Sequence, residues 1–97
     1  MQIDKFEWDE VKAVINFQKH GIRFDECLLV FQDVDALIIP DVKHSQIEER
    51  EIIIGQVITI GIILVVFTKR GSNIRIISAR KASKDERKFY EQRRTQP

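Results

Sequence analysis

The sequence predicts an α+β domain. Three observations point there: a helical period with cap signals near its start, several β-branched runs with tight connections through its middle, and a capped polar helix at its end. Residues 3–7 read as a short edge strand. Asp9 is placed to cap a helix over residues 10–20, whose end is marked by Lys19, His20 and Gly21. On a helical wheel Val11, Val14, Ile15 and Phe17 share a broad face, the side expected to pack, while Lys12, Asn16, Lys19 and His20 lie opposite. Asp25 is placed to cap a second helix over 26–32, with Phe24, Cys27, Leu28 and Phe31 as its apolar stripe. Cys27 there reads as a small core residue.

The period then changes. Residues 36–39 form a short strand stopped by Pro40, and 41–46 are a polar connection. Strands follow over 50–57 and 59–68, with an ill-defined turn between them. Lys69-Arg70-Gly71-Ser72-Asn73 is a clear turn. The next strand covers 74–80. Simple alternation puts Ile74, Ile76, Ser78 and Arg80 on one side and Arg75, Ile77 and Ala79 on the other. Ser83 and Glu86 make a capping-box pair that opens a helix to about residue 93. Tight connections require antiparallel pairing of the later strands. The helices are expected to segregate to one face of the sheet, leaving the other partly open.

Composition bounds the function. With 97 residues, roughly 100–200 per domain argues for a single unit. A composition 43% apolar and 32% charged suits a folded chain rather than a disordered one. The purely apolar run over 62–67 is far short of the ~20 residues of a membrane helix. The first residues carry acids too early for a signal peptide. A single cysteine excludes an internal disulfide and any multi-cysteine zinc site, and fits a reducing, cytoplasmic setting.

The near-zero net charge hides an asymmetry. Residues 1–68 hold 6 basic and 12 acidic side chains, and residues 69–97 hold 10 basic and 3 acidic. Such a local excess attracts phosphates, and arginine binds them with a planar two-bond fork. Arg80 ends its strand, just ahead of Lys81, Lys84 and Arg87. Arg50 begins the long hairpin and Arg70 ends it, so antiparallel pairing brings both to one end of the sheet. A phosphodiester site uses such cations to stabilise a charge-developing pentavalent centre. RNA supplies its own nucleophile, the 2′-hydroxyl, so a small protein can cut it by positioning, charge stabilisation and proton transfer.

The proton carriers stay open among Glu49, Glu51, Glu86, His20 and His44. His20 also suits the C-terminal dipole of its helix. His44 with Asp41 lacks a convincing third ligand, so neither a metal nor another cofactor is expected. Ser45 and Ser78 lack nucleophile spacing. Phe89 is expected in the core, with its neighbour Tyr90 freer to touch a base or the reaction. The bland alternative makes Arg80 a structural bridge to a helix carboxylate.

Taken together, the chain resembles the BrnT family of ribonuclease toxins from bacterial toxin–antitoxin pairs. The matching stretches are Phe6-Glu7-Trp8-Asp9-Glu10-Val11-Lys12, Asn16, Lys19-His20-Gly21-Ile22, Phe24 and Val30-Phe31-Gln32-Asp33. They continue through Asp41, His44-Ser45, Glu49-Arg50, Ile54-Gly55, Leu64-Val65-Val66 and Thr68-Lys69-Arg70. They close with Arg75-Ile76-Ile77-Ser78-Ala79-Arg80-Lys81-Ala82, Glu86-Arg87 and Tyr90. Lys69 stands where the family usually has an acid.

The resemblance implies a RelE-like domain over residues 1–94: two N-terminal helices on a mostly antiparallel sheet, then a C-terminal helix and a frayed tail over 95–97. It implies a ribosome-independent, metal-independent endoribonuclease that inhibits translation. A BrnA-like ribbon-helix-helix antitoxin would neutralise it, and promoter DNA would be bound mainly through that complex. Arg50, Arg70 and Arg80 are then the leading catalytic residues, followed by His20, Glu86 and Tyr90. Arg75, Lys69, Lys81, Lys84 and Arg87 would bind RNA. The alternative is a noncatalytic subunit that binds an antitoxin and supports promoter autoregulation.

Overall fold

A five-stranded sheet in the order β1-β5-β4-β3-β2 carries the fold. In this computed structural model residues 3–44 and 48–94 are described; Ser45 and the expected tail over 95–97 lie outside them. The elements are β1 (Phe6–Glu7), α1 (Glu10–His20), α2 (Phe24–Cys27), a 3₁₀ turn (Leu28–Gln32), β2 (Leu37–Pro40), a second 3₁₀ turn (Val42–His44), β3 (Arg50–Val57), β4 (Gly61–Arg70), β5 (Asn73–Lys81) and α3 (Lys84–Arg94). All neighbouring strands are antiparallel except β1, which runs parallel to β5. The expected second helix over 26–32 is thus a single α turn continued as 3₁₀. Gly55 explains the close approach there. A Cβ on it would lie 2.9 Å from Val30 and 3.0 Å from Ala36 and the Asp33 carboxylate, so the sheet has a dent into which this segment settles.

The helices do not segregate to one face. The larger core lies under α1 and α2, where Ile22, Phe24, Cys27 and Val30 meet Ile53, Val57, Ile63, Val65, Phe67, Ile74, Ile76 and Ala79. On the opposite face Tyr90 of α3 is buried on Ile54 and Leu64, flanked by Ile52, Ile62 and Val66. Alternation along β3 and β4 supplies both faces with apolar residues, so both need cover. Cys27 is a core residue as expected. Its thiol donates to the Phe24 carbonyl at 3.0 Å, and burial, then Asp25, push its pKa up to about 12. Trp8 closes the same core edge-on to Phe24, with centroids 6.0 Å apart.

α1 reverses its expected orientation. Its ends form as predicted: Asp9 accepts from the N–H groups of Val11 and Lys12, and Gly21 closes the helix in the left-handed region at φ 71°. Its docking side, however, carries Ala13 and Asn16, while Val11, Val14, Ile15 and Phe17 are exposed. β5 supplies the reason. Beyond Arg75 its outer edge has no strand partner among the described residues, so Ala79 has a buried N–H and C=O to satisfy. Asn16, 6% exposed, takes both: its amide donates to the Ala79 carbonyl at 2.9 Å and accepts from the Ala79 N–H at 3.0 Å. It also donates to the Ile22 carbonyl at 3.2 Å. A buried pair of backbone groups outweighs the aliphatic stripe in deciding which side of α1 faces in.

Gly55→Ala is expected to destabilise the fold by about 1–3 kcal/mol, because backbone, Val30 and Ala36 must shift together. Urea unfolding followed by circular dichroism measures it; an unchanged midpoint would contradict the packing argument.

Candidate nucleic-acid face

A bulge in β5 builds the site. Val66 pairs with Ser78, but Phe67 pairs with Ile76, so Ile77 is an extra residue. The extra residue overturns the simple alternation along this strand. Ile74, Ile76 and Ala79 all enter the main core, whereas Arg75, Ser78 and Arg80 pair with Thr68, Val66 and Leu64 on the α3 face. Three cross-strand rows result: Arg50–Thr68–Arg75, Ile52–Val66–Ser78 and Ile54–Leu64–Arg80. Arg70, two residues beyond Thr68, belongs to the same face. With neighbouring strands about 4.8 Å apart, Arg50 and Arg75 start roughly 10 Å from each other across Thr68. α3 covers the Ile54 and Leu64 end of this face. Ile52, Val66 and Ser78 stay half-buried, an apolar floor edged by cations.

Four of the described cations in this region meet a carboxylate. Arg80 holds Glu86 through two hydrogen bonds of 2.8 and 2.9 Å. Arg75 reaches Glu7 at 3.2 Å and Arg70 reaches Glu48 at 3.5 Å. Lys69, on the opposite side of β4 from Arg70, meets Glu51 at 3.3 Å. Arg50 borders a recess of about 500 Å³ with Ile38, Pro40, Val42, Glu49 and Glu51. Lys81, Lys84 and Arg87 are exposed on the end of β5 and the first turns of α3.

The proton-transfer candidates occupy different environments. Glu86 follows Ser83 by three positions in the predicted capping box: it accepts from the Ser83 N–H at 2.7 Å, and the Ser83 hydroxyl accepts from its N–H at 3.2 Å. The Arg80 bond above all, against the opposing effect of burial, holds its carboxyl down to about 2. Tyr90 is 1% exposed and donates its hydroxyl to Asp33, and burial and that bond push the phenol up to about 12. Its neighbour Phe89, expected in the core, is instead 55% exposed. The helix presents Tyr90 inward because Asp33 offers its hydroxyl a partner. His20 is exposed at the end of α1, in a recess with Asn16, Ile77 and Ser78 at the edge of β5. It therefore stands apart from Arg50 and Arg70. Among the described residues no group of three or more His, Cys, Asp or Glu is placed to hold a metal, and no helix is long and apolar enough to cross a membrane.

Asp33 escaped sequence reasoning as a site organiser. Burial raises its pKa, but the Tyr90 hydroxyl and the N–H groups of Gln56 (2.7 Å) and Asp35 (2.9 Å) outweigh that and keep it below the ordinary value. It pins α3, with help from Arg94, which donates to Gln56 at 3.0 Å and lies 3.7 Å from Asp35. Asn16 was equally hidden. Neither residue carries a local motif, since their partners are 57 and 63 positions away.

The chain is a small α+β domain that gathers Arg50, Arg70, Arg75 and Arg80 on one partly open sheet face, an arrangement chemically suited to phosphate contacts. Residues 8–86 match the family model described as "Ribonuclease toxin, BrnT, of type II toxin-antitoxin system", and the chain belongs to that family. The crystal structure of the Brucella abortus ribonuclease toxin, BrnT, is similar at 33% identity and a TM-score of 0.66, over 82% of this chain and 97% of that one. No curated protein sequence matches this chain.

Two outcomes follow for the α3 anchor. Tyr90→Phe is expected to lose about 1–2 kcal/mol in chemical denaturation, the usual cost of a buried acceptor losing a donor. Glu86 is depressed from 4.5 to about 2, so its contribution is complete above pH 4.5 and is lost as pH falls toward 2. Melting curves of Glu86→Gln should therefore be flatter than wild type across that window; parallel curves would contradict the ion-pair assignment.

Proposed function

We propose that this chain is a ribosome-independent endoribonuclease toxin that cuts RNA without a metal ion and so inhibits translation. The observation that carries this reading is the co-facial set Arg50, Arg70, Arg75 and Arg80 on a sheet face only half covered by α3. RNA phosphates would exchange with the carboxylates that hold these side chains at rest. The exchange is inexpensive. Partly exposed ion pairs contribute about 0–1 kcal/mol, while a phosphate accepts two bonds from one guanidinium.

In the proposed reaction a 2′-hydroxyl attacks the adjacent phosphorus. The P–O5′ bond breaks, leaving a 2′,3′-cyclic phosphate and a 5′-hydroxyl. Arg50, Arg70 and Arg80 stabilise the charge that develops on the phosphoryl oxygens. Arg75, Lys69, Lys81, Lys84 and Arg87 hold the flanking backbone. Among the proton-transfer candidates, His20 and Glu49 have exposed side chains. Glu86 acts by orienting Arg80, and Tyr90 by anchoring α3. The chain works in the cytoplasm as one domain over 1–94. Its partner is a BrnA-like ribbon-helix-helix antitoxin, and promoter DNA is contacted mainly through the complex.

The ion pairs of Arg70, Arg75 and Arg80 favour one competing reading, a noncatalytic subunit that binds its antitoxin and supports promoter autoregulation. Incubating the purified chain with naked RNA in EDTA separates the two. Cleavage with cyclic-phosphate ends is expected, and a folded Arg70→Ala/Arg80→Ala variant should be slower by at least about 100-fold, the scale of lost oxyanion stabilisation. Equal cutting by the variant removes these arginines from the mechanism; tight antitoxin binding without cleavage supports the competing reading.

A further inference from the structure

The outward face of α1 is unaccounted for by RNA cleavage. Val11 is 67% exposed, Val14 56%, Ile15 54% and Phe17 44%, all on one helix. These residues form a continuous stripe, because positions three and four apart are neighbours on a helix. Beside it, on the flank away from Lys12 and Lys19, runs a groove of about 580 Å³ between α1 and α2, with Trp8, Val14, Phe17 and Phe24 as its apolar lining and Glu10 and Asp25 among its polar residues. The Arg23 guanidinium lies over the Phe17 ring, 5.3 Å from its centroid. A contiguous apolar stripe rimmed by charges on a small domain marks a protein-binding surface.

The charges decide between occupants. Lys12 and Lys19 lie seven residues apart along one flank of the stripe, and neither is ion-paired among the described residues. A second copy of this chain fits poorly. In a two-fold antiparallel helix pair each flank meets itself, which sets Lys12 of one copy against Lys19 of the other. A parallel pair lays two aligned helix dipoles side by side. A partner helix with carboxylates along the matching flank meets neither obstacle.

We propose that the outer face of α1 docks an acidic amphipathic helix of the cognate antitoxin. Its apolar side covers Val11, Val14 and Ile15, one large apolar anchor enters the groove beside Phe17, and its carboxylates pair with Lys12 and Lys19. This inference rests on the chain being one half of a toxin–antitoxin pair, and not on its cleavage chemistry. α1 lies across the sheet from Arg50, Arg75 and Arg80, so the surface can be altered without touching the arginine face.

The test is titration of the purified chain with its cognate antitoxin, alongside the RNA assay and sedimentation of the chain alone. Val11→Asp/Val14→Asp should weaken antitoxin binding at least about 100-fold, as central apolar contacts do, with unfolding midpoint and RNA cutting unchanged. Lys12→Glu/Lys19→Glu should weaken it about tenfold and flatten its salt dependence. Wild-type affinity in both variants overturns the proposal. So does a chain that dimerises alone and is dispersed by Val11→Asp/Val14→Asp, since the face would then serve a second copy. An antitoxin that fails to bind even the wild-type chain overturns the pairing on which the surface rests. Loss of RNA cutting in the wild type, with binding intact, overturns only the catalytic reading.

Discussion

The amide of Asn16 does the work of a missing strand, and much of the molecule is arranged around it. β1 pairs with β5 only as far as Arg75, so the rest of that edge would present bare backbone beneath a helix. Two hydrogen bonds from one side chain close Ala79 on both its donor and its acceptor. An asparagine is suited to this because its amide reproduces the donor and acceptor of a peptide group. It also blunts an edge that could otherwise recruit another strand. The same contact turns α1 about its axis. With Asn16 inward, the aliphatic stripe has to face outward, and a helix that looks amphipathic in the usual sense becomes a surface feature.

The second consequence runs along β5. The extra residue at Ile77 changes which side chains share a face, and Asn16 grips the strand two residues further on. Ala79 is held into the core, and Arg80 is directed to the opposite side, in the company of Arg75 rather than across the sheet from it. Arg75 and Arg80 are five residues apart, a spacing that simple alternation sends to opposite sides of a strand. Here they flank the same half-open face.

Electrostatics then hold α3 in place. The helix is strongly polar and contributes one buried side chain, Tyr90. It is secured at its start by Arg80 and Glu86, at its middle by Tyr90 and Asp33, and at its end by Arg94 with Gln56 and Asp35. The marked separation of charge along the sequence cancels in part in space. Glu7, Asp35, Glu48 and Glu51 from the acidic part meet Arg75, Arg94, Arg70 and Lys69 from the basic part. The face is therefore a set of guanidinium groups held in position by exchangeable partners, each of which an incoming phosphate would have to replace.

Local chemistry made a good deal of this legible in the sequence. The caps at Asp9 and Gly21, the Ser83–Glu86 box, the strands of the long hairpin, the buried Cys27 and the family likeness all rest on residues close together in the chain, where propensity and hydrogen-bond geometry act directly. The tertiary structure alone decided the placement of α3 on the far face, the outward turn of Val11, Val14, Ile15 and Phe17, the exchange of Phe89 for Tyr90 in the core, and the company kept by Arg75 and Arg80. Each of those outcomes was set by a polar group, buried or half-buried, finding a partner across the fold: Asn16 on Ala79, Tyr90 on Asp33, Arg80 on Glu86. Periodicity counts apolar side chains. It has no term for a backbone amide at a strand edge, nor for one inserted residue, and these two features determine which way the chemistry faces.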